Sequence, residues 1–232
     1  MSTSDWKTCQ EEAAQVLRSA GMVATTDTKV HGARAAHDVD VVGVGEFAGV
    51  KVEWLIECKR LKRPATKAHV LTFQQVVADV GADRGLLLSE SGFQAGAIAA
   101  ARRTNLRLTS LEELADELSD AIGSSELKTL WWRIRACQER YWEFDKPTRI
   151  EHGLRPDVGQ VVGYRSLSVI RIVEEGVVQA LTSSFPIDWS NSIDARMFPE
   201  VALAATNVME LSRHFEPHVA DLERRLDELH SM

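Results

Sequence analysis

Hydrophobic positions recur along the first 120 residues in two alternating rhythms. Between Trp6 and Ala20 the apolar residues Cys9, Ala13, Val16, Leu17 and Ala20 fall at helical spacing, and Gly21 supplies a stop. Val39 to Val42 then reads as a short strand, and Val50 to Lys59 as a longer one with Val52, Trp54 and Ile56 on a core face. Pro64 closes a basic turn. A helix is predicted from Lys67 to Val80, a buried strand over Gly85 to Leu88, a helix over Phe93 to Arg103, and a short strand at Leu106 to Leu108. A further helix opens at Ser110, where Ser110 and Glu113 have capping-box spacing.

This order predicts an α/β domain, a mixed central sheet flanked by helices. It closes near residue 122, and Gly123-Ser124-Ser125 offers a boundary of turn formers. Residues 1–122 are thus expected to form one domain and residues 123–232 a smaller α+β module. The second part carries a helical pattern from Leu127 to Trp142 and strand candidates at Gln160 to Tyr164 and Leu167 to Val173. A terminal helical stretch follows from about Ala202, with a break near Pro217. The aromatic group Trp131, Trp132, Tyr141, Trp142 and Phe144 is read as packing.

Composition narrows the picture further. The chain has 232 residues and is 44% hydrophobic, enough for packed cores. Its longest apolar runs fall far short of the roughly 20 residues that cross a bilayer. The N-terminus lacks the basic start and apolar run of a secretory signal, so a cytoplasmic protein is expected. Cys9, Cys58 and Cys137 are too far apart for a CxxC metal knuckle and are read as reduced, packed residues. The net charge of -7 gives no bulk attraction for nucleic acid. Such an interaction needs a local patch, and Lys59, Arg60, Lys62, Arg63 and Lys67 form one, with Arg102, Arg103 and Arg107 a smaller second. Residues 124–232 hold thirteen basic against seventeen acidic residues. That part is therefore expected to serve assembly, as a homodimer or with a separate protein, and not to form a broad DNA-binding surface.

Strand phase brings out the candidate chemistry. Side chains alternate across a strand, so in KVEWLIECK Glu57 and Lys59 share a face. A hairpin through Gly43, Gly45 and Gly49 returns Asp40 to the far end of that strand. Two converging carboxylates form a hard oxygen site suited to Mg²⁺ or Mn²⁺, to which the backbone carbonyl of Cys58 adds a ligand. Lys59 is placed to orient water or offset developing negative charge on a phosphate. By spacing alone, the alternative stands that Glu57 and Lys59 are a half-exposed strand pair and Asp40 a turn residue.

The stretch HDVDVVGVGEFAGVKVEWLIECKR, followed by FQQVVADVGADRGLLLSESGFQAGAIAAARRTNLRLTSLEEL, resembles the Mrr-like branch of the restriction-endonuclease-like (PD-(D/E)xK) nuclease superfamily over roughly residues 6–120. The resemblance implies a metal-dependent deoxyribonuclease, in the endonuclease mode, acting on DNA in defence or repair. It assigns catalysis and metal binding to Asp40 and Glu57, and water or transition-state contact to Lys59. It also implies an acidic residue of the first helix near the metal, for which Glu12 is preferred over Glu11, and a polar helix residue beside the site, for which Gln75 is the candidate. Arg60, Lys62, Arg63 and Lys67 would line the nucleic-acid approach. Where the family often carries glycine before its Asp, this chain has His37-Asp38-Val39, so Asp38 is a candidate to join or replace Asp40. His37 is read as incidental. The rival function is a catalytically inactive nuclease-like module that binds DNA or protein.

Overall fold

The computed structural model describes residues 3–47, 49–160, 163–182 and 185–230, with side chains from residue 7 onward. The chain divides into two compact units, Met1–Ser119 and Asp120–Met232.

In the first unit the order is α1 (Thr3–Ser19), β1 (Val23–His31), β2 (Ala36–Phe47), β3 (Val50–Cys58), α2 (Lys67–Val80), β4 (Arg84–Leu88), α3 (Ala95–Ala101), β5 (Leu106–Thr109) and α4 (Leu111–Glu117). The strands form one sheet in sequence order, β1-β2-β3-β4-β5. β1, β2 and β3 are antiparallel, whereas β4 and β5 run parallel to β3. This is the mixed, helix-flanked sheet of a restriction-endonuclease-like α/β fold. Each face has its own core. On one, Cys9, Ala13, Ala14 and Leu17 of α1 and Leu114 of α4 meet Val41, Ile56, Cys58, Leu86 and Leu88. On the other, Val70, Phe73 and Val77 of α2 and Ala97 of α3 meet Val39, Val42, Leu55, Leu87 and Leu106. Burying β4 on both faces explains its uninterrupted Leu86-Leu87-Leu88.

Local signals account for the element ends. Ser110 and Glu113 form the capping box expected of α4, Ser110 Oγ accepting from Glu113 N at 3.1 Å and Glu113 Oε2 from Ser110 N at 3.0 Å. α2 stops at Gly81, whose φ of 79° is the left-handed conformation that glycine adopts without strain. β1 went unread in the sequence. Its VATTDTKVH is an edge strand with polar residues on both faces and little burial, so it carries no apolar alternation.

The second unit contains α5 (Ser119–Glu143), α6 (Lys146–Glu151), α7 (Ser166–Thr182), α8 (Ile193–Met197) and α9 (Val208–His230). The expected α+β module is thus mostly helical. Gly123-Ser124-Ser125 is helix, not turn: Gly123 lies inside α5, where a Cβ would sit 2.8 Å from Met209 N. Leu167 to Val173 is also helix, because Val169, Ile170, Ile172, Val173, Gly176 and Val177 bury one face at intervals of three and four. Of the Gln160 to Tyr164 strand candidate, residues 161–162 lie outside the described residues and the flanking residues are not strand. α9 begins at Val208, not Ala202, and continues through Pro217. Trp131, Tyr141 and Phe144 join the core, whereas Trp132 and Trp142 are exposed.

Candidate active site

The ladder between β1 and β2 is continuous except at one pair. Val41 faces Thr26 and Val39 faces Thr28, but the intervening Asp27 and Asp40 are not paired, and Asp27 has φ 54°. The break changes which way β2 faces. Val39 and Val42 both enter the α2 core while Val41 enters the α1 core, so strict alternation fails between them. Asp38 and Asp40 consequently have different surroundings. Asp38 is exposed and pairs with Lys29 at 3.3 Å; Asp40 is buried.

Asp40 ends the ladder between β2 and β3. The paired register runs to Val41 opposite Ile56, so one further step places Asp40 across from Glu57. Lys59 N bonds Leu88 O of β4 at 2.8 Å, which turns the preceding Cys58 N toward β2. There it donates to Asp40 Oδ2 at 2.7 Å, a carboxylate standing where a ladder carbonyl would. The other oxygen, Oδ1, accepts from Gln10 Nε2 of α1 at 2.9 Å. Gln10 is itself buried. Each carboxylate oxygen has two lone pairs, so both keep acceptor capacity after these bonds.

Glu57 and Lys59 form an ion pair, Lys59 Nζ donating to Glu57 Oε1, as their shared strand face predicts. Burial pushes the Glu57 carboxyl above its usual range, and the neighbouring Asp40 charge pushes it the same way against the pull of Lys59. Asp40 is raised too, by burial first, with the Cys58 N–H and the Gln10 amide opposing. Two carboxylates are therefore held together with one ammonium beside them, a grouping that a hard divalent cation relieves. The donor set fits such an ion: Asp40 and Glu57 would hold it, with the Cys58 carbonyl as a further candidate. Among the described residues no group of three or more His, Cys, Asp or Glu stands in a metal-holding arrangement. Remaining ligands would come from backbone, water or substrate.

The α1 residue that reaches Asp40 is Gln10. Glu11 pairs with Arg18 and Glu12 is exposed on the helix. Sequence reasoning sought an acid there, and the signal for Gln10 was its place one turn before the buried Ala13 and Ala14. Gln75 is exposed on α2, away from the core-facing Phe73 and Val77. Arg60, Lys62 and Arg63 are exposed in the segment that leaves β3 at the carboxyl ends of the parallel strands, and Lys67 is exposed at the start of α2. His37 is structural: its Nε2 lies 2.8 Å from Asp79 Oδ2. All three cysteines are free and buried.

A sheet of this order, carrying helices on both faces, defines a restriction-endonuclease-like α/β protein. The family model Mrr_cat, described as a restriction endonuclease, matches residues 1–118. The chain belongs to that restriction endonuclease family, within the PD-(D/E)xK-like superfamily. Similar solved structures include the crystal structure of a protein of unknown function, AF1548, at 16% identity and TM-score 0.41, covering 75% of this chain and 96% of that one. The DNA modification-dependent restriction endonuclease AspBHI matches at 16% and TM-score 0.33, covering 52% and 36% of the two chains. The MspJI restriction endonuclease in complex with a 27-mer oligonucleotide matches at 16% and 0.29, covering 50% and 30%. This chain therefore spans about a third of the length of each of those two enzymes. No curated protein matches it. Among the described residues no helix is long and apolar enough to cross a membrane.

Proposed function

We propose that the first unit is a Mrr-like, Mg²⁺-dependent deoxyribonuclease that hydrolyses internal phosphodiester bonds of DNA, with Mn²⁺ as an alternative ion. The observation that carries this reading is Asp40, a buried carboxylate fixed by Cys58 N and Gln10 beside the Glu57–Lys59 pair. A bound cation would offset negative charge on the phosphate and ease deprotonation of a water. Asp40 and Glu57 supply its hard oxygens. Lys59 cannot ligate a cation; its ammonium instead donates to an incoming water or to a phosphate oxygen, exchanging Glu57 for the charge that develops there. Gln10 keeps the Asp40 carboxylate from rotating. Arg60, Lys62, Arg63 and Lys67 give the strand-end surface the local positive charge that the whole chain lacks. A cytoplasmic setting in defence or repair accords with this activity.

The test is cleavage of linear, circular, branched and methylated DNA, and of RNA, in Mg²⁺, Mn²⁺ and EDTA. Metal-dependent cutting of circular DNA is expected, with losses on the order of 10²-fold or more in Asp40→Ala and Lys59→Ala. Extra Mg²⁺ should partly restore Asp40→Ala and leave Lys59→Ala inactive, since only the first lacks an oxygen ligand. Wild-type protein that binds DNA but cuts none of these substrates would support the inactive-module reading instead.

A further inference from the structure

The second unit contains a group of arginines that the nuclease reading does not use. Arg149 of α6 is only 7% exposed, yet its Nε and Nη1 have no hydrogen-bond partner among the described residues. Its guanidinium carbon lies 4.5 Å from the Tyr141 ring centroid and 4.6 Å from that of Trp142. The ring faces attract the cation but do not satisfy N–H groups in the guanidinium plane. Arg155 and Arg165 are half-buried, and each has a buried Nε with no partner among the described residues; Arg165 makes a 3.5 Å contact from Nη2 to Gln160 O. Buried donors left without acceptors are uncommon in folded proteins, and an anion is one of the few groups that satisfies several together.

Arg155 and Arg165 line one cavity, and Arg149 stands outside its lining. Leu154 N and Arg155 N both donate to Arg149 O, at 2.9 and 3.2 Å, so the end of α6 carries Arg155 to the rim. The cavity, of about 510 Å³, is lined by Tyr141, Arg155, Arg165, Ser166, Ser168 and Arg171, among others. Ser166 opens the 17-residue α7 at the same space; its N–H and Oγ both donate to Leu154 O, at 3.0 and 2.9 Å, so the helix end contributes its dipole there and not these donors. Two acids also line it, and both are engaged. Asp194 accepts from Ser168 Oγ at 2.6 Å and faces Arg171 Nη1 at 3.5 Å, and Asp157 accepts from Val158 N at 2.6 Å.

We propose that this cavity binds a phosphate-bearing ligand, its oxygens received by Arg155 and Arg165 at the N-terminus of α7. Arginine forks match phosphate geometry better than they match a spherical ion, and the volume exceeds a bare phosphate and suits a nucleotide-sized molecule. The same chemistry arises from a free nucleotide or from the 5′ end of a DNA strand. This site belongs to the second unit, so its test is independent of cleavage by the first.

The experiment is titration calorimetry on the full chain, in EDTA and at constant ionic strength. The probes are inorganic phosphate, a nucleoside 5′-monophosphate, and one oligonucleotide with and without a 5′-phosphate. Binding of a phosphorylated probe is expected, with Kd raised tenfold or more in the Arg155→Gln/Arg165→Gln double variant. Arg171→Gln, already paired to Asp194, should change it less. Tighter binding of the nucleotide, or of the 5′-phosphorylated strand over its unphosphorylated counterpart, identifies the source. Failure of all three phosphates to bind, or affinity unchanged in a double variant with wild-type circular dichroism, overturns the proposal. Arg165→Lys covers the case in which the double variant does not fold. It keeps the charge and loses the planar fork, so weakened binding supports the site and undiminished binding overturns it.

Discussion

Asp40 is held in its charged form at a thermodynamic disadvantage. Burial raises its carboxyl pKa, and Glu57 beside it is raised as well. A carboxyl with a folded-state pKa above its unfolded value binds more protons when folded. Its stabilising contribution is then full at low pH and falls as pH rises from the ordinary carboxylate range through the raised value. Asp40→Asn should therefore raise the Tm of the metal-free protein at neutral pH while abolishing cleavage, with the gain shrinking toward pH 4. Calorimetric scans in EDTA across that range test it; a lower Tm at neutral pH would contradict the sign. In the proposed mechanism Gln10 acts through Asp40, as a positioning residue. Gln10→Ala is expected to lower activity or metal affinity by about 10- to 100-fold, and Gln10→Glu to alter the pH profile by adding a third carboxylate. A Gln10→Ala protein with unchanged Mg²⁺ dependence would remove that role.

Among the elements, legibility followed burial. α2 was readable to its ends because Val70, Phe73 and Val77 repeat at helical spacing and Gly81 stops the chain. β3 and β4 were readable through phase and apolar continuity. β1 was not, since an edge strand exposed to solvent has no need of a hydrophobic face. The pairing of Glu57 with Lys59 followed from alternation alone. The separation of Asp38 from Asp40 did not, because it depends on a gap in the β1–β2 ladder that no local pattern announces. α7 was misread as strand because Val169-Ile170 and Ile172-Val173 are β-branched and apolar, a composition favoured in sheets. Its helical state is settled by packing around Gly176, where a Cβ would fall 2.5 Å from Phe215 Cζ and 2.9 Å from Trp189 Cη2. Gly176→Ala should accordingly destabilise the second unit by about 1–3 kcal/mol, despite alanine's better helix propensity. Urea unfolding followed by tryptophan fluorescence reads this directly; a stabilised variant would mean that α7 and α9 shift apart freely.

At the scale of the whole molecule, two units of nearly equal length divide the chain, and the charge is unevenly useful. The first unit clusters Lys59, Arg60, Lys62, Arg63 and Lys67 just after β3. The second has more acids than bases and spends several in pairs along its own helices, among them Arg133 with Glu216 and Glu223, and Arg140 with Asp227. We propose that a helical unit with such a surface serves assembly, most simply as a homodimer, and not broad attachment to a polyanion. Light scattering over a hundredfold range of concentration should give a mass of about twice 25.8 kDa; a constant monomer mass, together with tight DNA binding by a variant lacking the basic residues after β3, would reverse the assignment.

Asp79, near the end of α2, gathers five contacts, four from the turn between β1 and β2 and one from His37 at the start of β2. Its oxygens accept from Arg34 Nε at 2.7 Å and from the backbone N–H groups of Arg34 and Ala35, and one lies 2.8 Å from His37 Nε2. Gly32 packs so close that a Cβ there would lie 2.3 Å from the carboxylate. Arg34 and then His37 hold the Asp79 carboxyl well below its usual range, so this stabilisation is complete above the ordinary carboxylate pKa and fades only as pH falls toward the depressed one. Asp79→Asn should thus flatten the acid limb of the stability profile. The deeper consequence concerns fidelity of threading. A hairpin joined to its helix at a single carboxylate has its sliding coordinate locked, and a slip of one residue would turn every side chain of β2 to the opposite face. Asp79 serves as an index pin for Asp40: loosening it should yield a protein that keeps its secondary structure yet arrives in two interconverting hairpin registers, resolvable as doubled amide resonances for Val39 to Val42, only one of which assembles the carboxylate pair.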